Sequence, residues 1–179
     1  MFSSRIRIIL IITHTIVAMI LFANNQNIWA TIILMGGILQ LYGYLRYGTV
    51  WLASRQLSRQ NYSEVKRLLA MIKNPAYLSK SQKGFYYMLQ GAADLYHEKN
   101  YQAAEINIKK AIEIGVGTTN NKSINHLMLS EISYNQNNLD TALNYVKAAI
   151  EIPHNAVVDQ ELQKFMNEIE DAIKRNQHN

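Results

Sequence analysis

Histidines and carboxylates are the side chains best able to support chemistry in this chain, because it contains no cysteine. The absence of cysteine excludes thiolate nucleophiles, disulfides and cysteine-based zinc sites. His97 and Glu98 are adjacent, so on a helix they point in different directions. No carboxylate cluster at ligand spacing accompanies the other histidines of the polar region, His126, His154 and His178. The sequence also lacks a glycine-rich phosphate loop, an H-E-x-x-H motif and a G-x-S-x-G motif. We therefore predict that the protein is not an enzyme and uses neither a metal nor a cofactor.

The 179-residue chain divides into two regions that differ in apolar content and charge. The first quarter is far more apolar than the rest, and the net charge is +3 over residues 1–46, +5 over 47–119 and −3 over 120–179. Basic side chains beside a bilayer are attracted to anionic lipid by about 1 kcal/mol each. No basic run with interleaved aromatic residues indicates nucleic-acid binding. We expect a lipid bilayer as one partner and no nucleic acid.

Two uncharged apolar runs dominate the first region. They cover residues 8–23 and 28–45, and the polar link of residues 24–27 separates them. A helix needs roughly 20 mostly apolar residues to cross a membrane. The runs therefore predict a transmembrane hairpin over residues 1–46, with helices at about 5–23 and 28–46. The alternative for the first run is a cleaved signal peptide, but Leu21 and Ala23 do not give the small-residue pattern of a cleavage site.

The basic residues that flank the hairpin predict its orientation. They lie before the first helix and after the second, and the link carries none. Under the positive-inside rule both ends are then cytoplasmic, which predicts a multi-pass protein of a bacterial inner membrane. The residues expected at the membrane surface are Arg5, Arg7, Arg46, Arg55 and Arg59.

His14 is the ionisable residue within the first run. In an antiparallel hairpin it falls opposite Gly36 and Gly37, which leave room for the imidazole ring. We expect a neutral histidine that hydrogen-bonds across the hairpin rather than a proton pathway.

A repeated pattern runs through the rest of the chain. Residues 59–75, 98–115 and 136–153 align, and the last two copies continue as AIEIG and AIEIP. In each copy an Asn precedes a large apolar residue, and apolar residues follow at spacings of three, four and three, along one face of a helix. The Asn residues are Asn61, Asn100 and Asn138, and the large residues are Tyr62, Tyr101 and Leu139. The pattern predicts helix pairs that turn at the Asn.

These copies resemble the tetratricopeptide repeat (TPR) family, whose unit is two antiparallel helices with small residues where they pack. The resemblance implies an α-solenoid over residues 47–155, with helix pairs at about 47–78, 84–116 and 122–153. The small residue of the first helix is Ala92 or Gly91 in the second copy and Ser130 in the third. An apolar stripe in residues 156–179 predicts a C-terminal capping helix. The expected fold is therefore all-α.

The same resemblance implies a concave groove lined by the first helix of each pair. By position, the candidate groove residues of the second copy are Tyr86, Leu89, Ala93, Tyr96 and His97. Those of the third copy are Ile124, Leu127, Glu131, Tyr134 and Asn135. These positions are mainly apolar, aromatic or acidic, which disfavours capture of a C-terminal carboxylate.

The sequence thus predicts a membrane-anchored scaffold or adaptor that binds another protein. The alternative is a structural or assembly subunit of a larger membrane complex, in which Gly36, Gly37 and Gly43 make contacts. Because no proline interrupts residues 28–62, we also expect the second apolar helix to continue as the first helix of the first pair.

Overall fold

The structure is a computed structural model that describes residues 4–47 and 49–177. Every regular element in those residues is helical, which confirms the all-α class. A 3-10 turn spans Pro75–Tyr77, and a π-helical turn, Asp94–Glu98, extends the fifth α-helix. The α-helices are α1 (Ser4–Ala23), α2 (Asn27–Tyr47), α3 (Val50–Leu57), α4 (Tyr62–Ala70), α5 (Lys80–Ala93), α6 (Tyr101–Ile114), α7 (Thr119–Asn135), α8 (Leu139–Glu151) and α9 (Ala156–Gln177).

Helices α1 and α2 pack together as the predicted hairpin. The link turns at Asn25, whose φ of 59° lies in the left-handed region. A Cβ added to Gly37 would lie 3.2 Å from Cβ of His14, and one added to Gly36 would lie 3.6 Å from Cδ2 of that ring. The close approach of the glycines to His14 is therefore confirmed. We expected His14 to bond across the hairpin, but its Nδ1 donates to the carbonyl of Leu10 in the same helix at 2.7 Å.

The length and the apolar character of α1 and α2 decide whether this hairpin can span a membrane. Among the described residues, no helix combines the length and the apolarity needed to span a membrane. The predicted transmembrane hairpin is therefore wrong, and so is the multi-pass inner-membrane localisation with both termini cytoplasmic. A crossing helix needs roughly 20 predominantly apolar residues. The run of residues 8–23 is shorter than that, and the run of residues 28–45 contains Gln40 and three glycines.

The chain turns between the hairpin and the first helix pair. Helix α2 ends at Tyr47 and α3 begins at Val50, while Thr49 adopts a φ of −97° and a ψ of 6°. The buried Thr49 hydroxyl donates to the carbonyl of Leu68 in α4 at 2.5 Å, which seats the start of α3 against α4. The predicted continuous helix is therefore wrong. Gly48 lies outside the described residues.

The three predicted helix pairs are α3 with α4, α5 with α6 and α7 with α8. In each pair the second helix begins at the large apolar residue that the repeat marks: Tyr62, Tyr101 and Leu139. The residue two positions earlier has a left-handed φ in every copy, namely 56° at Gln60, 55° at Lys99 and 62° at Asn137. The Asn that follows caps the helix in two copies, since Asn61 accepts from the amide of Glu64 and Asn100 from that of Ala103. One turn geometry therefore recurs three times.

Each apolar core joins one helix pair to the helix that follows. The first core combines α3 and α4 with Leu89 and Ala93 of α5. The second combines α5 and α6 with Met128 and Ile132 of α7. The third combines α8 with Leu127 of α7 and with Val158, Leu162 and Ile169 of α9. Helix α9 therefore covers the apolar face that α7 and α8 would otherwise expose.

The π-helical turn adds one residue to the first helix of the second pair. The amide of Asn100 donates to the carbonyl of Asp94, six residues back, whereas the equivalent bonds from Asn61 and Asn138 reach back five residues, to Gln56 and Ser133. The extra residue changes which side chain faces the partner helix. Gly91 packs against Ala104 as Ser130 packs against Ala142 in the third pair, where the serine hydroxyl donates to the alanine carbonyl at 2.6 Å. The structure thus selects Gly91 over Ala92 for this position.

Candidate functional site

Several candidate groove residues of the second copy pack inside the protein. Leu89 and Ala93 are buried in the first core, and Tyr86 is half-buried against it. Tyr96 is half-buried beside the second core, and His97 is exposed. Of this group, Tyr96 and His97 lie where a partner can reach them directly.

The candidates of the third copy divide in the same way. Leu127 is buried in the third core, and Ile124 is half-buried between the second and third cores. Glu131 and Tyr134 are half-buried, and Asn135 is exposed at the end of α7. The reachable residues again cluster toward the end of the first helix of the pair.

A set of polar contacts joins the second and third pairs at this end. The hydroxyl of Tyr96 donates to Oε2 of Glu131 at 2.7 Å, and that of Tyr101 donates to Oδ1 of Asn135 at 3.3 Å. The ring of Tyr62, from the first pair, lies 5.6 Å from the ring of Tyr96, centroid to centroid. We call Tyr62, Tyr96, Tyr101, Glu131 and Asn135 the tyrosine–glutamate surface. It draws on all three helix pairs.

Two members of this surface, Tyr62 and Tyr101, were missed as groove residues by the sequence reasoning. The sequence pattern places both on the apolar packing face of the second helix, directly after the Asn of the turn. Their recurrence at equivalent positions was the available signal. A ring at the first position of the second helix lies close to the end of the first helix, which the turn brings alongside it.

The fold disfavours the ionised form of the Glu131 carboxyl. Burial raises the pKa of its carboxyl, and the nearby carboxylates Glu161 and Glu168 of α9 raise it further. The hydrogen bond from Tyr96 and the charge of Lys99 act in the opposite direction and do not cancel the rise. Burial and the charge of Glu131 likewise raise the pKa of the phenol of Tyr62 and of Tyr96. A positive charge placed on this surface would therefore be stabilised.

A second polar cluster lies behind the surface and holds the first two pairs together. Asp94, in the π-helical turn, is buried and accepts from Lys66 of α4 at 2.9 Å and from Nδ2 of Asn107 of α6 at 2.8 Å. Lys66 also pairs with Glu98 at 2.5 Å. Burial tends to lower the pKa of the Lys66 ammonium, but its hydrogen bonds to Glu98 and Asp94 prevail and raise it. The cluster fixes the turn that presents Tyr96.

A small polar depression lies at the same end of the third pair, between the α7–α8 turn and the end of α9. Its volume is about 370 Å³, and Tyr134 lies between it and Phe165, whose ring centroid is 5.5 Å away. The lining residues are Tyr134, Asn137, Leu139, Ala172, Arg175 and Asn176. Tyr134 is thus half-buried against α9.

The predicted surface arginines are only partly described. Arg55 lies over the ring of Trp51 at 5.9 Å, and both residues are exposed, as is Arg59. The side chains of Arg5, Arg7 and Arg46 lie outside the described part of the chain.

The tyrosine–glutamate surface places half-buried tyrosine rings beside one half-buried carboxylate. In the part of the chain that the structure describes, no group of three or more histidine, aspartate or glutamate side chains is placed to hold a metal ion. Searches with this chain against protein-family models, curated proteins and solved structures found no match. Membership of the tetratricopeptide repeat family accordingly stays a prediction.

Proposed function

We propose that the protein is a protein-interaction scaffold or adaptor, built as a short α-solenoid of three TPR-like helix pairs that α9 caps. The sharing of each core between one pair and the next helix supports this proposal, because repeat stacks are stabilised by contacts between neighbours. In such stacks the first helices create an extended concave surface that binds a partner. The partner is another protein, and the proposal assigns no catalytic step.

The observation that carries the proposal is the tyrosine–glutamate surface. Tyrosines provide large contact areas at low entropic cost and are enriched in the energetically dominant positions of interfaces. Here Tyr96 is already held by its bond to Glu131, and Tyr62 stacks near it. Preorganised rings lose little freedom when a partner binds. A basic side chain of the partner would also relieve the repulsion of Glu131 by Glu161 and Glu168.

Affinity purification at native expression, followed by crosslinking, tests this proposal. Two variants address the surface: Glu131→Lys reverses the charge, and Tyr62→Ala removes the half-buried ring next to Tyr96. Glu113→Lys is the matched control, because Glu113 is an exposed carboxylate on α6, the second helix of its pair. We expect the control to recover the same partner as the unmodified chain and both surface variants to lose it.

Circular dichroism on each variant separates loss of the surface from loss of the fold. If Glu131→Lys and Tyr62→Ala retain their helical signal and still recover the partner in full, the surface is not the binding site. If the unmodified chain recovers no protein partner, the scaffold proposal itself is refuted.

The second candidate function is a structural subunit whose hairpin contacts other proteins of a complex. Among the described atoms, nothing lies within 4 Å of a Cβ added to Gly43, so this glycine leaves room for a neighbour. Gly36 and Gly37 do not, because His14 already packs against them. Replacing residues 1–47 by an unrelated helical hairpin distinguishes the two: the scaffold keeps its partner, whereas the structural subunit loses it.

A further inference from the structure

Helices α1 and α2 expose large apolar side chains that nothing in the described protein covers. At 3.6 residues per turn, these side chains occupy more than half of the circumference of each helix. Examples are Ile9, Ile12 and Ile20 on α1 and Ile28, Trp29 and Leu39 on α2. Leu39, for instance, is 67% exposed. The hairpin therefore lacks a broad polar face that water could solvate.

A second protein surface is a poor cover for such a hairpin. A helix that packs against a protein needs an apolar stripe of about 100°, and its remaining face is polar. A helix that is apolar nearly all round is normally buried, either in the core of a large protein or in the apolar interior of a membrane. A second copy of the hairpin would cover one face of each helix and leave the other exposed.

The charge distribution identifies the kind of lipid. The first 63 residues contain five arginines, Arg5, Arg7, Arg46, Arg55 and Arg59, and no acidic residue. The remaining residues contain 13 basic and 13 acidic side chains, so the whole net charge of +5 belongs to the first 63 residues. Arginines beside an apolar segment attract anionic lipid headgroups.

Aromatic residues lie at the two ends of α2. Trp29 is exposed in its first turn, and Trp51, with Arg55 over its ring at 5.9 Å, is exposed just after it. Tryptophan prefers the headgroup level of a bilayer, because one part of the indole is apolar and its N–H needs a polar partner.

We propose that the hairpin of α1 and α2 inserts its exposed apolar side chains into the surface of an anionic lipid bilayer, with the flanking arginines at the headgroups. This association requires neither helix to cross the bilayer. It is independent of the protein-binding surface, which lies on the helix pairs.

Flotation of the full chain with vesicles tests the proposal. The vesicles are phosphatidylcholine alone or phosphatidylcholine mixed with phosphatidylglycerol. We expect the protein to float with the mixed vesicles, and the double variant Arg55→Gln, Arg59→Gln to partition into them about 25-fold less, at roughly fivefold per arginine. Leu39→Asp should abolish flotation, whereas Ile106→Asp should not. Ile106 is the matched control, since it is an apolar residue of α6 with 61% exposure.

A measurement on the unmodified chain keeps the test independent of how the variants fold. Vesicles that carry brominated acyl chains should quench the fluorescence of Trp29 and Trp51. A chain that neither floats nor is quenched overturns the proposal. So does a chain that forms a stable dimer without lipid and dissociates on Leu39→Asp, because the cover is then a second copy.

Discussion

Replacing Asp94 by Asn tests whether the buried polar cluster holds the first two helix pairs together. Asn has nearly the same shape, so the change removes the charge without leaving a cavity. Its Oδ1 can still accept from Asn107, which lies 2.8 Å from Asp94. The attraction to Lys66 at 2.9 Å is lost, and the new amide N–H group faces the ammonium instead. The variant therefore isolates the charge of one carboxylate.

The size of the effect follows from burial. The side chain of Asp94 is 5% exposed, and that of Lys66 is 26% exposed. Hydrogen bonds to charged groups contribute about 1.5–3 kcal/mol, and breaking a fully buried ion pair costs about 3–5 kcal/mol. Lys66 keeps its second partner, Glu98, at 2.5 Å, so the lower part of this range applies. We expect the free energy of unfolding to fall by about 2 kcal/mol, or the melting temperature by about 4–8 °C.

Urea unfolding of the full chain, followed by circular dichroism, measures this loss. The matched control is Glu105→Gln, which breaks an exposed pair with Lys109 within α6, where the side chains are 35% and 55% exposed. Exposed pairs of this kind contribute about 0.5 kcal/mol or less. If Asp94→Asn destabilises the protein no more than Glu105→Gln does, the cluster does not stabilise the packing of the pairs and the reasoning is refuted.

Three further predictions test the roles of individual side chains. Because the pKa of Glu131 is raised in the fold, its charge destabilises the protein above that pKa and has no such effect below about pH 4.5. Glu131→Gln should therefore raise stability at pH 7, and a pH series of urea midpoints should show this gain disappear on acidification; a constant gain would contradict the assignment. Gly91→Ala should lower the melting temperature despite the better helix propensity of Ala, since the new Cβ would lie 2.5 Å from Cγ1 of Ile108, and overpacking costs about 1–3 kcal/mol. Asn100→Ala should lower the free energy of unfolding by about 1 kcal/mol more than Asn138→Ala does, because among the described residues Asn100 makes a side-chain cap bond and Asn138 does not. Equal losses in thermal unfolding would argue against capping as the cause.

The repeat made most of the helical region predictable. Its spacing located the second helices at Tyr62, Tyr101 and Leu139, where the structure begins them. An apolar stripe repeated at helical spacing is a strong local signal, and an Asn at a turn has a local cause, since its side chain can cap the next helix. The pairing of His14 with Gly36 and Gly37 was likewise predictable from the length of the link.

Other features depended on contacts between residues far apart in the chain. Thr49 turns the chain after α2 by bonding to Leu68, and no pattern near residue 49 indicates that partner. The π-helical turn shifts the small position from Ala92 to Gly91, and a one-residue shift is hard to detect in a pattern with a period of 3.6. The membrane prediction failed for a different reason: uncharged runs near the minimum length do not by themselves specify a crossing helix.

By itself the sequence determined the all-helical class and the positions of the turns within the helix pairs, because each depends on residues within one or two helical turns of one another. The tertiary structure decided which predicted groove residues remain reachable. Leu89 and Leu127 are buried by neighbouring helices, whereas Tyr96 and Glu131, 35 residues apart in the chain, bond to each other. Burial and the charge around a carboxylate are sums over all neighbours in space, so only the packed fold fixes them.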